Sequence, residues 1–300
     1  MSLISKHKDK LIAFLKFFNT KPGFQRVFYH IHKLREDVLT TDRFLAVELD
    51  EGFYIGTYKY HQHRMWRQLT EGSFESEETK IVKKLISDVT CFVDIGAHIG
   101  YYTCLAHHLS PQISILSFEP NPENFISLKK NIELNSAVNC RAFNIGLGEK
   151  KETAILYGVD AMGSIVKETY DTHHLPHEQI SVHIEKLDSF IDKVPTNAKV
   201  LIKMDVEGNE LNVLRGSWEF IRKCQPVGLM IEICKRWSTQ DNPFYEETFT
   251  VLKRNGYVAY SIGEIPGVLI TKVDNPVDYN SGNFLFIRKN MTNDFEKKLF

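Results

Sequence analysis

The sequence carries almost no net charge: 37 lysines and arginines stand against 38 acidic residues. Such a balance sets up no long-range positive field to gather a polyanion, which disfavours nucleic acid as a partner. Cysteines are few and follow no pairing pattern. The five, Cys91, Cys104, Cys140, Cys224 and Cys234, are widely spaced and mostly sit in apolar segments. They read as reduced core thiols of a reducing, cytoplasmic compartment, with no disulfide framework. The apolar stretch Leu11 to Phe18, behind Lys6, Lys8 and Lys10, is interrupted by Lys16. It falls far short of the roughly 20 residues that cross a bilayer, and no small-residue cleavage site of a secretory leader follows it. Leu11, Phe14, Leu15 and Phe18 share one helical face, which suits either a helix packed on its own domain or one making peripheral membrane contact.

What is present points to one enlarged α/β domain or a domain with an extension, since 300 residues at 43% apolar content can bury a substantial core. The stretch Phe92 to Thr103 organises the rest. It begins as a short apolar run suited to a buried strand, passes Asp94, turns on Gly96 and Gly100, and leaves as Tyr101, Cys104, Leu105 and His108 at helical spacing. A loop free of side chains lets a ligand lie against the main chain, and the helix start offers free N–H groups. The spacing is Asp94-x-Gly96-x-x-x-Gly100. It lacks the middle glycine of the G-x-G-x-x-G dinucleotide fingerprint and resembles the first motif of S-adenosylmethionine-dependent methyltransferases.

Before this loop, Phe44–Leu49 and Phe53–Tyr58 flank Asp50-Glu51-Gly52 and predict a hairpin, and Glu77 to Ser87 predicts a helix. Residues 1–70 thus read as a helical and β-hairpin extension, 71–290 as the main domain and 291–300 as a polar tail. After the loop, residues 113–118 predict a second strand ending at Glu119, nineteen positions beyond Gly100. There a carboxylate can accept hydrogen bonds from both hydroxyls of a ribose, or serve as an ordinary acid near a helix start. Asn121 caps the next helix, with Pro122 in its first position and Phe125, Leu128 and Ile132 as its expected buried stripe. A third strand, 141–145, places Asn144 at the ligand edge, where it either addresses an adenine or makes a turn. From Glu152 to His183 the strand and helix alternation breaks, an insertion expected to overhang the site.

The second decisive stretch runs from Val200 to Leu211. A buried strand carries Lys203 near its end, then Asp205 and Glu207, before Leu211, Leu214, Trp218 and Ile221 restore helical spacing. The next strand brings Glu232 to the same edge, where ligands of open α/β sheets bind. Three converging carboxylates can deprotonate a hydroxyl or bind a hard cation such as magnesium. Asp205 is the first candidate for positioning or accepting the proton, with Glu207 and Glu232 behind it. Lys203, two residues away on the same strand face, would make Asp205 a poorer base. Glu207 and Glu210 equally suit the start of a helix dipole. The pairs His61-x-His63 and His173-His174-x-x-His177 lack a tetrahedral ligand set and read as exposed loop histidines.

Phe92 to Thr103, residues 117–122 and residues 202–210, in this order, resemble the FkbM family of S-adenosylmethionine-dependent methyltransferases. Gly72-Ser73-Phe74-Glu75 is similar to the segment that opens that family's domain. The resemblance implies a class I methyltransferase fold: Rossmann-like, three layers, and a mostly parallel seven-stranded sheet with one antiparallel strand near the C-terminus. It implies methylation of a hydroxyl on a sugar, glycan or small metabolite. It places Asp94, Gly96 and Gly100 at the methionine end of the cofactor, with Ala97 among the residues that bind it, Glu119 at its ribose and the Asp205 segment at the reacting hydroxyl. Two other readings stay open: a nucleotide-dependent oxidoreductase or epimerase, and a catalytically silent binding module.

Overall fold

The computed structural model describes residues 44–58, 63–158, 163–166, 179–235, 244–279 and 281–299. The apolar N-terminal stretch, His61, His173, His174, His177 and the Asn242-Pro243 helix start lie outside the described residues, as does the side chain of His63.

The central sheet grows from strands that are apolar on both faces, the pattern of a strand covered on two sides. These are β3 (Cys91–Ile95), β4 (Ser114–Phe118), β9 (Val200–Met204) and β10 (Gly228–Cys234). Phe92, Ile115 and Leu201 belong to one core cluster, and Val93, Leu116 and Ile202 to the other. Alternation along a strand thus feeds two hydrophobic layers, one on each face. On the first face pack α1 (His63–Thr70), α2 (Ser76–Leu85), α3 (Tyr101–Leu109) and α8 (Thr292–Leu299); on the second lie α5 (Glu210–Arg215), α6 (Trp218–Cys224) and α7 (Phe244–Arg254).

With β5 (Cys140–Phe143), β11 (Tyr257–Ile262), β12 (Ile270–Lys272) and β13 (Ser281–Arg288), the order is β12-β11-β13-β10-β9-β3-β4-β5. Strands β5, β4, β3, β9 and β10 pair in parallel, whereas β13 runs antiparallel to β10 and β11, and β12 antiparallel to β11. Among the described residues the sheet therefore has eight strands and two reversed ones, not seven with one. The added strand, β12, is three residues long and too short to show a period in the sequence. Chain order reverses between β3 and β9, so the carboxyl ends of these two strands form the topological switch point where such sheets bind ligands.

Four other expectations are corrected. The hairpin, β1 (Leu45–Glu48) paired with β2 (Tyr54–Thr57), does form, but it belongs to the compact unit that begins at Phe44. Helix α4 (Pro122–Leu134) buries Asn124, Ser127, Leu128 and Asn131, while Phe125 and Ile132 are half-buried. Its inner face is polar because it satisfies backbone groups: Asn131 bonds Gly56 N, Gly56 O and Ile99 O. The helix expected through Trp218 is broken into α5 and α6 at Gly216, where a Cβ would lie 1.9 Å from Gly148 O. The C-terminal residues, read as a tail, form α8 and bury Phe295 and Leu299.

After β5 the chain turns at Asn144 into a second, three-stranded sheet of β6 (Gly146–Leu147), β8 (Gln179–Glu185) and β7 (Glu152–Tyr157). Ser164 pairs with Tyr157, and its hydroxyl donates to Glu207 O at 2.6 Å. That bond ties the insertion to the loop after β9.

Candidate active site

The loop after β3 is shaped by two contacts. Gly96 N and Ala97 N both donate to Phe118 O at 3.0 Å, and Asp205 N donates to Ile95 O at 3.0 Å. These bonds draw the loops after β3, β4 and β9 together. A Cβ on Gly96, whose φ is +77°, would meet Asp205 O at 1.8 Å, so only glycine fits. Gly100 opens α3 at φ +92° with Leu128 Cδ1 where its Cβ would be. Asp94 is fully buried; Thr103 donates to its Oδ2 at 2.7 Å, and its Oδ1 has no partner among the described residues.

Glu119 stands at the end of β4. Its Oε2 accepts from His98 N at 2.8 Å and its Oε1 from Asn121 N at 2.9 Å, while Asn121 caps α4. Burial pushes this carboxyl up to about 7, against the pull of those two N–H groups. The Asn124 side chain also bonds this carboxyl, which still borders the cavity.

The third wall is electrostatic. Asp94 and Lys203 are register partners on adjacent strands and therefore share a face. Lys203 Nζ lies 3.1 Å from Asp205 Oδ2 and 5.2 Å from the centre of the Tyr102 ring. Burial pulls the Lys203 ammonium down, but Asp205, Glu75 and Asp94 outweigh it and push it up. Burial opposes the Asp205 carboxylate, and the Lys203 charge overcomes that and holds it below its ordinary value. Glu232 is pushed up, first by the Asp205 charge and then by burial, so it keeps its proton and shares a hydrogen bond with Asp205. Carboxylate oxygens of Asp205, Glu207 and Glu232 lie within 4.8 Å of one another.

All three walls face one cavity of about 470 Å³, an ordinary size for a small-molecule site. Gly96, Ala97, Glu119, Asp205, Glu207 and Glu232 line it. Asp94, Gly100 and Asn144 do not. Asp94 faces α3, Gly100 packs on Leu128, and Asn144 donates to Glu119 O and Pro120 O, bracing the loop from outside. Glu210 turns back to accept from Gly208 N at 3.0 Å, the behaviour of an acid at a helix start. Leu156, Gly163 and Ile165 of the insertion also line the cavity. Sequence reasoning assigned no chemistry to Glu75 and Tyr102, which line it too. Their meeting is produced by packing of α2 on α3 and has no local signature.

The Methyltransferase FkbM domain matches residues 94–259. The chain belongs to this family. The FkbM-domain protein is 30% identical over 173 residues to Methyltransferase 1 of Beauveria bassiana, a match covering 49% of this chain and 66% of that protein. It is 29% identical over 178 residues to Methyltransferase sdnD of Sordaria araneosa, covering 47% and 69%. The chain thus spans about two thirds of the length of each relative. Among solved structures, M. jannaschii TYW2 in complex with AdoMet overlays with a TM-score of 0.43 at 14% identity, covering 84% of this chain and 89% of that one. The architecture of this FkbM-domain protein is an α/β doubly wound sheet, mostly parallel, with a reversed strand next to its fifth parallel one.

The residues present fit S-adenosylmethionine. Gly96, Ala97 and His98 offer main chain at one wall, Glu119 offers carboxylate acceptors for ribose hydroxyls, and Phe118, Ile145 and Leu147 give an apolar flank for a flat base.

Proposed function

We propose that this FkbM-family protein is an S-adenosylmethionine-dependent O-methyltransferase acting on a hydroxyl of a sugar, glycan or small metabolite. The observation that carries this reading is the joining, in one cavity, of Glu119 beside the glycine loop with the Asp205 and Glu232 pair beside Lys203. The cofactor supplies an already activated methyl group. The protein's task is then to hold a nucleophilic oxygen in line and to manage its proton, and orientation does much of that work. Ionised Asp205 accepts a hydrogen bond from the bound acceptor, and protonated Glu232 donates to Asp205 and fixes its direction. The insertion residues Leu156 and Ile165 bear on acceptor choice.

Calorimetric titration of the purified full chain with S-adenosylmethionine, beside Glu119→Ala, tests the cofactor half. Micromolar binding that the variant loses supports it, and a folded wild-type protein without binding removes it. Screening hydroxylated sugars and metabolites for methyl transfer then tests the acceptor half. A second reading rests on the closeness of Asp205, Glu207 and Glu232, which suits a divalent cation such as magnesium orienting the acceptor. The buried Lys203 ammonium repels such an ion, and turnover that survives exhaustive chelation excludes it.

A further inference from the structure

Among the described residues, five glutamates and aspartates line the cavity, and four of them are committed elsewhere or open to a different account. Asp205 is held by Lys203, Glu232 is pushed up by the Asp205 charge and by burial, and Glu119, braced by the His98 and Asn121 N–H groups, is taken by the cofactor ribose. Glu207 is gathered with Asp205 and Glu232, its carboxylate within 4.8 Å of theirs, and its main-chain O is tied to the Ser164 hydroxyl. Glu75 is the fifth. It precedes α2, where an acid ordinarily folds its side chain back onto the helix N–H groups. Here it makes no such cap. Its side chain reaches into the cavity instead, and its Oε2 accepts from Tyr102 OH at 2.7 Å.

The backbone supports the same conclusion. Glu75 lies at φ +40° and ψ +55°, left-handed space that glutamate seldom occupies. His98 and Glu207, at φ +52° each, also line the cavity. Backbone strain of this kind persists where the surroundings enforce it and gathers at functional sites. The strain at Glu75 aims a carboxylate at the site rather than at its own helix.

Accepting the methyltransferase reading, on which this rests, we infer that Glu75 takes the proton of the acceptor hydroxyl, through the oxygen not bonded to Tyr102. In the step, a lone pair of the acceptor oxygen forms a bond to the methyl carbon. The carbon–sulfur bond breaks with its electron pair left on sulfur, and the O–H proton moves to Glu75. Charge balances, because a cationic sulfonium and a carboxylate become a neutral thioether and a carboxylic acid. Asp205, fixed by Glu232, accepts from a second donor group of the acceptor and leaves the reacting O–H to Glu75. Lys203 supplies fixed positive charge near both carboxylates.

Burial pushes the Glu75 carboxyl up to about 7, Asp205 and Glu78 add to the rise, and Lys203 and Tyr102 oppose it. A group so placed is half ionised near neutral pH, a useful condition for accepting and releasing a proton. The first test needs no acceptor: the carboxyl carbon of Glu75, assigned by its loss in Glu75→Gln, is followed by NMR in the apoprotein as pH is varied. A midpoint near neutrality is expected, and titration in the ordinary range near about 4.3 overturns the inference. The second test uses the best acceptor from the screen. Glu75→Gln is expected to lose roughly 100-fold or more in turnover while its calorimetric S-adenosylmethionine affinity changes by less than about threefold. Glu75→Asp, which keeps a carboxylate, is expected to fall between the two. Full turnover in Glu75→Gln, or loss confined to Glu207→Gln, overturns it. Absence of cofactor binding by wild type sinks the methyltransferase reading instead, and the NMR midpoint still decides the state of Glu75.

Discussion

Lys203 Nζ lies 3.1 Å from Asp205 Oδ2, with the lysine side chain 8% and the aspartate side chain 22% exposed. A pair this buried is expensive to break because the surviving charge loses its counter-charge and regains little water. Asp205 also has Glu232 against it. Lys203→Met is therefore expected to destabilise the fold by on the order of 3 kcal/mol, read from urea unfolding at neutral pH. Adding Asp205→Asn removes the stranded charge and recovers part of that loss. Equal unfolding midpoints for Lys203→Met and wild type would show that the pair contributes nothing.

The close approach of the first and third loops gives a sharper expectation. At Gly96 a methyl group would meet backbone at 1.8 Å, and backbone cannot rotate away. Gly96→Ala is expected to cost about 3 kcal/mol, combining left-handed strain with overpacking, and to weaken cofactor binding as the loops part. Gly256, at φ +84° with open space around it, is the control. There Ala is expected to cost about 1 kcal/mol from backbone strain alone. Similar losses at both positions, by denaturation, would show that the interloop contact has slack.

The sequence made the centre of the molecule legible and its margins less so, for physical reasons. Strands β3, β4, β9 and β10 announce themselves because burial on both faces demands unbroken apolar runs. Gly96, Glu119 and Asp205 were readable as neighbours because a doubly wound sheet puts its switch-point loops side by side. Strands of two or three residues, β6 and β12, are too short to carry a period. The start of α2 shows an acid but not that its side chain leaves the helix, since Tyr102 comes from α3. Helix α4 misled in another way: its partners are a hairpin and a glycine loop, whose main-chain groups select asparagine over leucine.

Asn131 concentrates that lesson. It is fully buried and makes bonds of 2.8, 2.8 and 2.7 Å to Gly56 N, Gly56 O and Ile99 O. Asn131→Leu would satisfy the expected apolar pattern and leave buried main-chain groups unpaired. A loss of about 3 kcal/mol is expected, with faster amide exchange at Gly56. Gly56 exchange as slow as in wild type would mean that the hairpin is held by other contacts.

Glu210 gives a pH test whose sign can be worked out. Its Oε1 accepts from Gly208 N, its Oε2 has no partner among the described residues, and burial raises it from 4.5 to about 7. Between those values the folded chain holds a proton that the unfolded chain has released. Unfolding therefore releases protons, and stability from this group is full below about pH 4.5 and is lost as pH rises through about 7. Glu210→Gln copies the protonated form at every pH and lacks this titration. Relative to wild type, the variant should gain stability between pH 5 and pH 8, by on the order of 3 kcal/mol, read from denaturant unfolding at both pH values. Comparing the two proteins at each pH cancels the other titrating groups, including Asp205, whose lowered value works in the opposite direction. A difference that stays constant across the range would mean that Glu210 is ionised in the folded protein at both ends of it.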